Sequence, residues 1–455
     1  MKLHRRIIDG LRLFKCRRST HGLVPTSSGI PRGLSNSPAF TIKDPPSWAL
    51  LTTGPCRWKD DDSLLVAGSN SSTTAETHTS TGHRLRVSFD LAAPPARSLF
   101  YYNCTETTSD GKPAGLNIVA AHGDSVLLWM ACRRSESASS STSYVFDNFV
   151  YRSGCDTRRP SLTRLPDLKV FRRYESERSI RPLTSEDTGI MRRGGDGELV
   201  VARIDVLSEH CGGKGMANLC VLRPGSSSQW EDKRLLPILH EEGDEVMGPL
   251  TGPNMAISVG DRFLCWVEGH SSFIVCDMAD DASTKLRHVA LPGFPYDPHY
   301  YTNDLHPLED AHNIGAAGTS AVRFVAVEPR CCCGGFGRCS CPRSRHAFTV
   351  TTWTLTLTMD EPIKWVKDTV LDCEELWALP GYEGIPRLHL KCPVVCLDNP
   401  DVIWFRVVSY EDEKAWMIQV DTRRKALLAA VIQTIGPFGS YNPYNPYFLR
   451  QAKLR

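Results

Sequence analysis

From residue 45 onward, short apolar runs rich in β-branched and aromatic residues alternate with Gly, Pro, Ser and Asp breaks. That is the pattern of strands separated by turns. The clearest unit is FLCWVEGHSSFIVCDMADDASTKLRHVAL at 263–291. It predicts strands over Phe263–Glu268, Phe273–Asp277 and Lys285–Leu291, joined by a turn at Gly269–Ser272 and an Asp-rich loop. The result is a three-stranded antiparallel meander. The same order recurs over Val402–Ser409, Lys414–Asp421 and Lys425–Ile432, and over Val126–Cys132, Tyr144–Tyr151 and Ser161–Pro166. Leu199–Val206, Asn218–Leu222 and Lys233–Ile238 give a fourth copy, and Ala347–Thr358 with Lys364–Val370 a partial fifth. Trp48–Thr52, Leu64–Ala67, Leu85–Leu91 and Ser98–Tyr102 supply strands for another. A 3.6-residue period is nearly absent, and a short helix is expected only over Asp372–Leu379.

The lead strands of these copies, marked by Trp129, Val201, Trp266, Trp353 and Trp404, stand 72, 65, 87 and 51 residues apart. Regular propeller repeats run to about 40–50 residues, so insertions must occupy the loops. A meander cannot bury both of its faces alone, whereas meanders packed around an axis bury both and leave short edges. The expected fold is therefore all-β, an irregular β-propeller-like assembly of about six antiparallel meanders with few short helices. A pair of β-sandwiches is the alternative. The expected organisation is a basic, Ser/Pro-rich leader over 1–44, the β domain over 45–435 and a Pro/Tyr-rich tail over 436–455.

Charge sharpens the reading of the leader. The formal net charge of the chain is +2, yet residues 1–40 hold eight basic residues against Asp9, which leaves −5 on the other 415. Leu3, Ile7, Leu11 and Phe14 share one helical face, with Arg5, Arg6, Arg12 and Lys15 largely elsewhere. An Arg- and Ser-rich, acid-poor amphipathic start is the composition of an organelle transit peptide. Mitochondrial import is the expectation; a plastid address, or a basic tail on a cytoplasmic or nuclear protein, are the alternatives. No apolar run approaches the roughly 18 residues of a membrane-spanning helix.

The block LCWVEG, FIVCDM and KLRHVALP, at Leu264–Gly269, Phe273–Met278 and Lys285–Pro292, resembles the core of a family expanded in grasses, the plant domain of unknown function 1618. PPSWALL at Pro45–Leu51, SYVFDNFVYR at Ser143–Arg152 and SLTRLP at Ser161–Pro166 fit the same family, so the resemblance covers about residues 45–435. It implies a β-rich fold like the propellers attached to F-box modules. It implies no activity and carries over no catalytic residue. No F-box-like helical module is visible in residues 1–44.

Candidate chemistry is sparse. Cys331, Cys332, Cys333, Cys339 and Cys341 lie within eleven residues, followed by His346. Thiolates of this kind hold Zn²⁺ or Cu(I). Their adjacent and C-x-C spacings crowd one side of an ion, where structural zinc sites use separated C-x₂₋₄-C pairs. The reading is an exposed insertion between two strands, with metal binding and redox pairing as alternatives. Arg330, Arg338, Arg343 and Arg345 flank it, but the net-negative body of the chain argues against nucleic acid. His288, His299, His306 and His312 accompany Asp297, Asp304, Glu309 and Asp310 along the aromatic, Pro-rich segment 293–313. The segment reads as a structural loop between sheets, with partner contact and a His–carboxylate metal site as alternatives. Neither a phosphate-loop motif nor a G-x-S-x-G elbow is present, so no cofactor is expected. The paired carboxylates of EEGDE, 241–245, read as solvated. Cys220, Cys265 and Cys276, and the strand tryptophans Trp129, Trp266, Trp353, Trp404 and Trp416, read as core. The function expected is a noncatalytic interaction module binding a protein or peptide. The alternative is a hydrolase- or lyase-like enzyme using His and Asp of 293–313.

Overall fold

A computed structural model describes residues 48–452 apart from 60–72, 95, 106–113, 134–143, 156, 172–177, 181, 194–196, 208–214, 226–228, 241–251, 269–270, 280–283, 293–310, 331–345 and 435–448. Along the chain two units separate, Met1–Lys43 and Asp44–Arg455, and the described residues belong to the second. Their regular secondary structure is nearly all strand, with one α-helix among them, Cys373–Trp377. That helix is closed by a capping box: Asp372 accepts from the Glu374 backbone N–H, and Glu375 reaches back to the Asp372 N–H.

Six antiparallel meanders follow one another among the described residues. The first sheet holds Ala75–His78, Arg84–Asp90 and Leu99–Cys104, with Arg57–Trp58 added parallel. The second runs through Leu116–His122, Ser125–Arg133, Tyr144–Arg152 and Ser161–Arg164, with Gly54–Pro55 on its first strand. Thr188–Arg192, Leu199–Leu207, Met216–Leu222 and Glu231–Leu239 form the third. Met255–Val259, Phe263–Glu268, Ser272–Asp277 and Leu286–Ala290 form the fourth. His312–Ala316, Ala321–Pro329, Phe348–Thr356 and Val366–Asp372 form the fifth, and Leu390–Val395, Val402–Ser409, Lys414–Asp421 and Ala426–Thr434 the sixth. The last strands of the third and fourth sheets pair in parallel, Ile238 and Leu239 against Leu286 and Arg287. Since their first strands also touch, this eight-stranded ladder nearly closes on itself.

Each predicted three-stranded unit thus gains a strand in front of it. Those first strands lie close to one another. A Cβ on Gly189 would meet Ala256 of the fourth sheet's first strand at 3.3 Å and Leu264 of its second at 2.9 Å, and one on Gly315 would meet Val395 at 3.0 Å. Small residues are what admit such approach. The tail predicted over 436–455 also contributes structure: Leu449–Ala452 pairs antiparallel with Ala49–Thr52. The predicted strand Leu64–Ala67 lies outside the described residues.

The core is a series of layers, each between sheets adjacent in sequence. Val126, Leu128 and Phe149 meet Leu85, Val87 and Phe100 between the first and second sheets. Leu127 and Val150 meet Ile190 and Val201 between the second and third. Trp266 and Ile274 meet Val200 and Leu219 next, and Cys265 and Phe273 then meet Phe324. Phe348 packs with Phe405 and Ile418 between the fifth and sixth. Phe263–Glu268 is buried along its whole length because both faces are covered, so it reads as an unbroken apolar run. Ala49 and Leu51 enter the layer of the first and second sheets, while Trp48 and Leu50 enter a layer with Cys392, Val394 and Trp404 of the sixth.

Candidate functional site

Up-and-down connectivity gives each meander two unlike ends. In the fifth sheet, His312 pairs with Ala326, and Pro329 pairs with Phe348. The chain arriving from 293–310 therefore enters at the end where it leaves for 331–345. In the fourth sheet, Met255, Val267, Ser272 and Ala290 likewise share the end from which the chain departs toward 293–310. The segments 134–143, 208–214, 241–251, 269–270, 293–310, 331–345 and 435–448 all join such loop-bearing ends. The opposite ends carry the turns between first and second strands.

Buried titratable groups gather at the loop-bearing ends of the fourth, fifth and sixth sheets. Glu268, only 3% exposed, closes its strand directly across from Ser272, whose hydroxyl lies 3.5 Å from Oε2. Among the described residues its Oε1 has no hydrogen-bond partner. Burial raises this carboxyl to about 7, against the smaller opposing effects of Ser272 and the Gly252 N–H. A carboxyl that titrates near neutrality can give or take a proton at physiological pH. His288, on the last strand of the same sheet, is buried with its ring 4.9 Å from that of His240. His312 opens the fifth sheet and packs on Phe324, ring centroids 5.8 Å apart. His389 precedes the sixth sheet and packs on Phe348 at 5.4 Å. Its Nδ1 is 2.7 Å from the Leu390 carbonyl, so Nδ1 carries the proton.

The short-turn ends hold ion pairs between sheets. Asp124 accepts from Arg152 Nε at 2.7 Å, Arg158 Nη2 at 2.6 Å and Ser125 Oγ at 2.8 Å, and pairs with Arg192 Nε at 2.9 Å. Arg192, from the third sheet, also donates to Ser125 Oγ and the Gly197 carbonyl, and its backbone N–H donates to His122 Nδ1. Burial alone would raise the Asp124 carboxyl; Arg152, Ser125 and Arg192 overcome it and hold it below the usual range. Buried Arg323 of the fifth sheet lies 2.9 Å from Asp401, at the first turn of the sixth, and 3.8 Å from Asp368. Asp147, buried within the SYVFDNFVYR motif, accepts from the Ser80 N–H at 2.6 Å and so fixes a turn of the first sheet to the second. These groups are engaged with one another, and the chemistry they support is cohesion of the sheets.

Of the residues singled out by sequence, Cys331, Cys332, Cys333, Cys339 and Cys341 lie outside the described residues, as do His299, His306, Asp297, Asp304, Glu309, Asp310 and the 241–245 acids. His288 and His312 fall on different sheets with different ring partners. No group of three or more His, Cys, Asp or Glu among the described residues is arranged to hold a metal ion. The described cysteines are free thiols; burial pushes Cys220 up to about 11 and Cys276 up to about 12, as inert core thiols require. Trp266 is fully buried and its Nε1 donates to the Asp187 carbonyl at 3.0 Å, joining the fourth sheet to the third. The sequence reading passed over Asp124, Arg192, Arg323 and Asp401. One signal was present: His122-Gly123-Asp124 between two apolar runs marks a hairpin turn, and Gly123 indeed has φ 55°.

A family model described as a protein of unknown function, domain 1618, matches residues 266–404, under a third of the chain. The match includes His288 and the fifth sheet, but not the motifs at 45–51, 143–152 and 161–166. No curated protein matches the chain. Among solved structures, Drosophila Plexin A in complex with Semaphorin 1b is 11% identical with a TM-score of 0.17; 80% of this chain is covered, and the chain spans 64% of that one. Likeness of that degree bears on neither fold nor function. Among the described residues no helix is long and apolar enough to cross a membrane.

Proposed function

We propose that the six sheets are blades of an irregular β-propeller, and that the protein is a noncatalytic binding module for another protein or a peptide, engaged at the loop-bearing ends. The observation that carries this reading is a cyclic order of contacts. Leu116–His122 touches Thr188–Arg192, which touches Met255–Val259, and so on through His312–Ala316 to Leu390–Val395. Leu449–Ala452 touches Leu116–His122 and pairs with Ala49–Thr52, beside which Trp48 and Leu50 pack on the sixth sheet. First strands that meet in chain order and return to their start are what radial packing of meanders requires. Rigid sheets then hold variable loops at a common rim, where partners dock. The step from ring to binding is fold-level analogy, and an experiment on the loops tests it. The purified chain is panned against a displayed peptide library. Enrichment of one sequence class is expected, with binding weakened at least roughly tenfold, about 1.4 kcal/mol, when 293–310 or 331–345 is replaced by a Gly/Ser linker. Absence of enrichment, or affinity untouched by both replacements, overturns the reading.

One observation favours the alternative of a hydrolase- or lyase-type enzyme drawing on 293–313. Glu268, titrating near neutrality, sits at the sheet end from which that segment departs. Turnover of ester, amide or glycoside substrates that Glu268→Gln abolishes with the fold intact would select it. The basic leader is assigned, in the same proposal, to mitochondrial import. A reporter carrying residues 1–40 that stays diffuse in the cell overturns that assignment.

A further inference from the structure

The last strand of a sheet exposes a row of unpaired N–H and C=O groups, which proteins blunt with shortness, charge, Pro or pairing. Most outer strands described here are blunted. Ala75–His78 has four residues and carries Glu76, ion-paired to Arg84 and Arg86. Ser161–Arg164 also has four and lies between Pro160 and Pro166. Glu231–Leu239 carries Glu231, Asp232, Lys233, Arg234 and Pro237, and at its end Ile238 and Leu239 pair with Leu286 and Arg287 of Leu286–Ala290. Val366–Asp372 carries Lys367, Asp368 and Asp372.

Ala426–Thr434 differs. It ends the sixth sheet with nine residues, ALLAAVIQT, holding neither charge nor Pro. Leu428, Val431 and Ile432 are 51%, 41% and 64% exposed. One irregularity opposite Gln419 and Val420 interrupts its inner ladder, and Ala429–Thr434 beyond it is regular. After Thr434 the next described residues are Leu449–Ala452, paired elsewhere with Ala49–Thr52. Among the described residues no strand pairs with this edge.

We propose that Ala426–Thr434 pairs with the same strand of a second copy of this chain, antiparallel across a two-fold axis, joining two sixth sheets into one eight-stranded ladder. Charge selects this occupant. A strand without charges sets no like charge against its own copy, and antiparallel pairing carries the basic turns Arg423–Lys425 of the two copies to opposite ends of the ladder. Closure selects it as well. A head-to-tail contact would need a second open edge on each molecule, and the other described outer strands are short, charged or already paired. The chain already joins sheets by their last strands, between the third and fourth. Nine residues at about 3.4 Å each give a ladder about 30 Å long, the scale of a small, reversible interface. The inference needs the sixth sheet alone, so it stands or falls independently of the ring arrangement.

Sedimentation equilibrium of the full chain is expected to show a two-chain species whose share rises across the micromolar range. Ile432→Lys places a charge on the edge and is expected to sediment as one chain, with far-UV circular dichroism unchanged and the melting temperature of dilute wild type. Val366→Lys, on the outer strand of the fifth sheet, is expected to remain two-chain. Backbone amides of 429–434 should exchange more slowly in concentrated than in dilute wild-type protein. Should Ile432→Lys fail to fold, Leu428→Lys takes its place. A wild type of one chain at every concentration overturns the proposal, whatever other partner the edge captures. So does a two-chain species that survives the folded lysine variant with amides of 429–434 unprotected.

Discussion

Glu268 sets the terms at the scale of single residues. Its carboxyl is buried, one of its oxygens lacks a hydrogen bond among the described residues, and burial raises it from an ordinary carboxylate value to about 7. An acid whose folded value lies above its unfolded value stabilises the fold most at low pH. That contribution is lost as pH climbs through the interval between the two and is gone above neutrality. The shift corresponds to about 3 kcal/mol across the window from roughly pH 4.5 to 7. Urea unfolding of wild type and Glu268→Gln at pH 5 and pH 8 is expected to show the variant gaining up to about 3 kcal/mol on the wild type between the two. A constant difference would mean that Glu268 stays ionised in the fold. Gly260 is a second residue with a distinct demand: it adopts φ 58° in the first turn of the fourth sheet, and an added Cβ would strike the backbone of Thr319 in the fifth. Gly260→Ala is expected to cost about 1–3 kcal/mol from the left-handed conformation alone, read as a lowered melting temperature.

At the scale of strands and sheets, the ion pairs act where the layers meet. Arg323 is nearly enclosed between the fifth and sixth sheets while Asp401 is partly exposed, so removing Asp401 leaves Arg323 buried with only the more distant Asp368 to compensate it. Asp401→Ala is expected to destabilise by about 3–5 kcal/mol, and the double variant Arg323→Met with Asp401→Ala to recover part of that loss. Equal destabilisation of single and double variants would show that the pair does not couple the sheets. Sequence reading reached the elements unevenly, for physical reasons. Val402–Ser409 and Lys414–Asp421 carry the bounds predicted for them, because their dense β-branched and aromatic residues and clear turns leave no other reading. The first strands escaped it. LNIVAAH, TGIMR, MAISV and HNIGA carry Gly, Ala and Asn where neighbouring strands press close, and such composition dilutes the strand signal. The polar clusters escaped it too, since Arg192 and Ser125 are 67 residues apart in sequence and only the fold brings them within 2.7 Å. His288 and His312 drew attention by proximity along the chain, yet a strand at the end of one sheet and a strand at the start of the next part them.

At the scale of the molecule, the question is what keeps a series of sheets from opening at its first and last members. Every internal layer is held by covalent succession as well as by packing, because the sheets on either side follow each other in the chain. The layer joining the sixth sheet to Trp48 and Leu50 has no such help. It rests on packing and on the four-residue ladder of Ala49–Thr52 with Leu449–Ala452. Leu50 is fully buried there, and Leu51 beside it is fully buried in the layer of the first and second sheets; uncovering one or both costs about 2–4 kcal/mol. Ending the chain after Thr434 is therefore expected to lower stability by that amount. Hydrogen exchange should speed up in the first and sixth sheets and stay slow in the third and fourth, which their parallel pairing and shared core hold together. Arg450→Pro, which removes a ladder donor opposite Leu51, is expected to reproduce the effect in part. Unchanged melting and exchange in both variants would show that the first and last sheets hold without this seam, and would leave the proposed ring without its closing element.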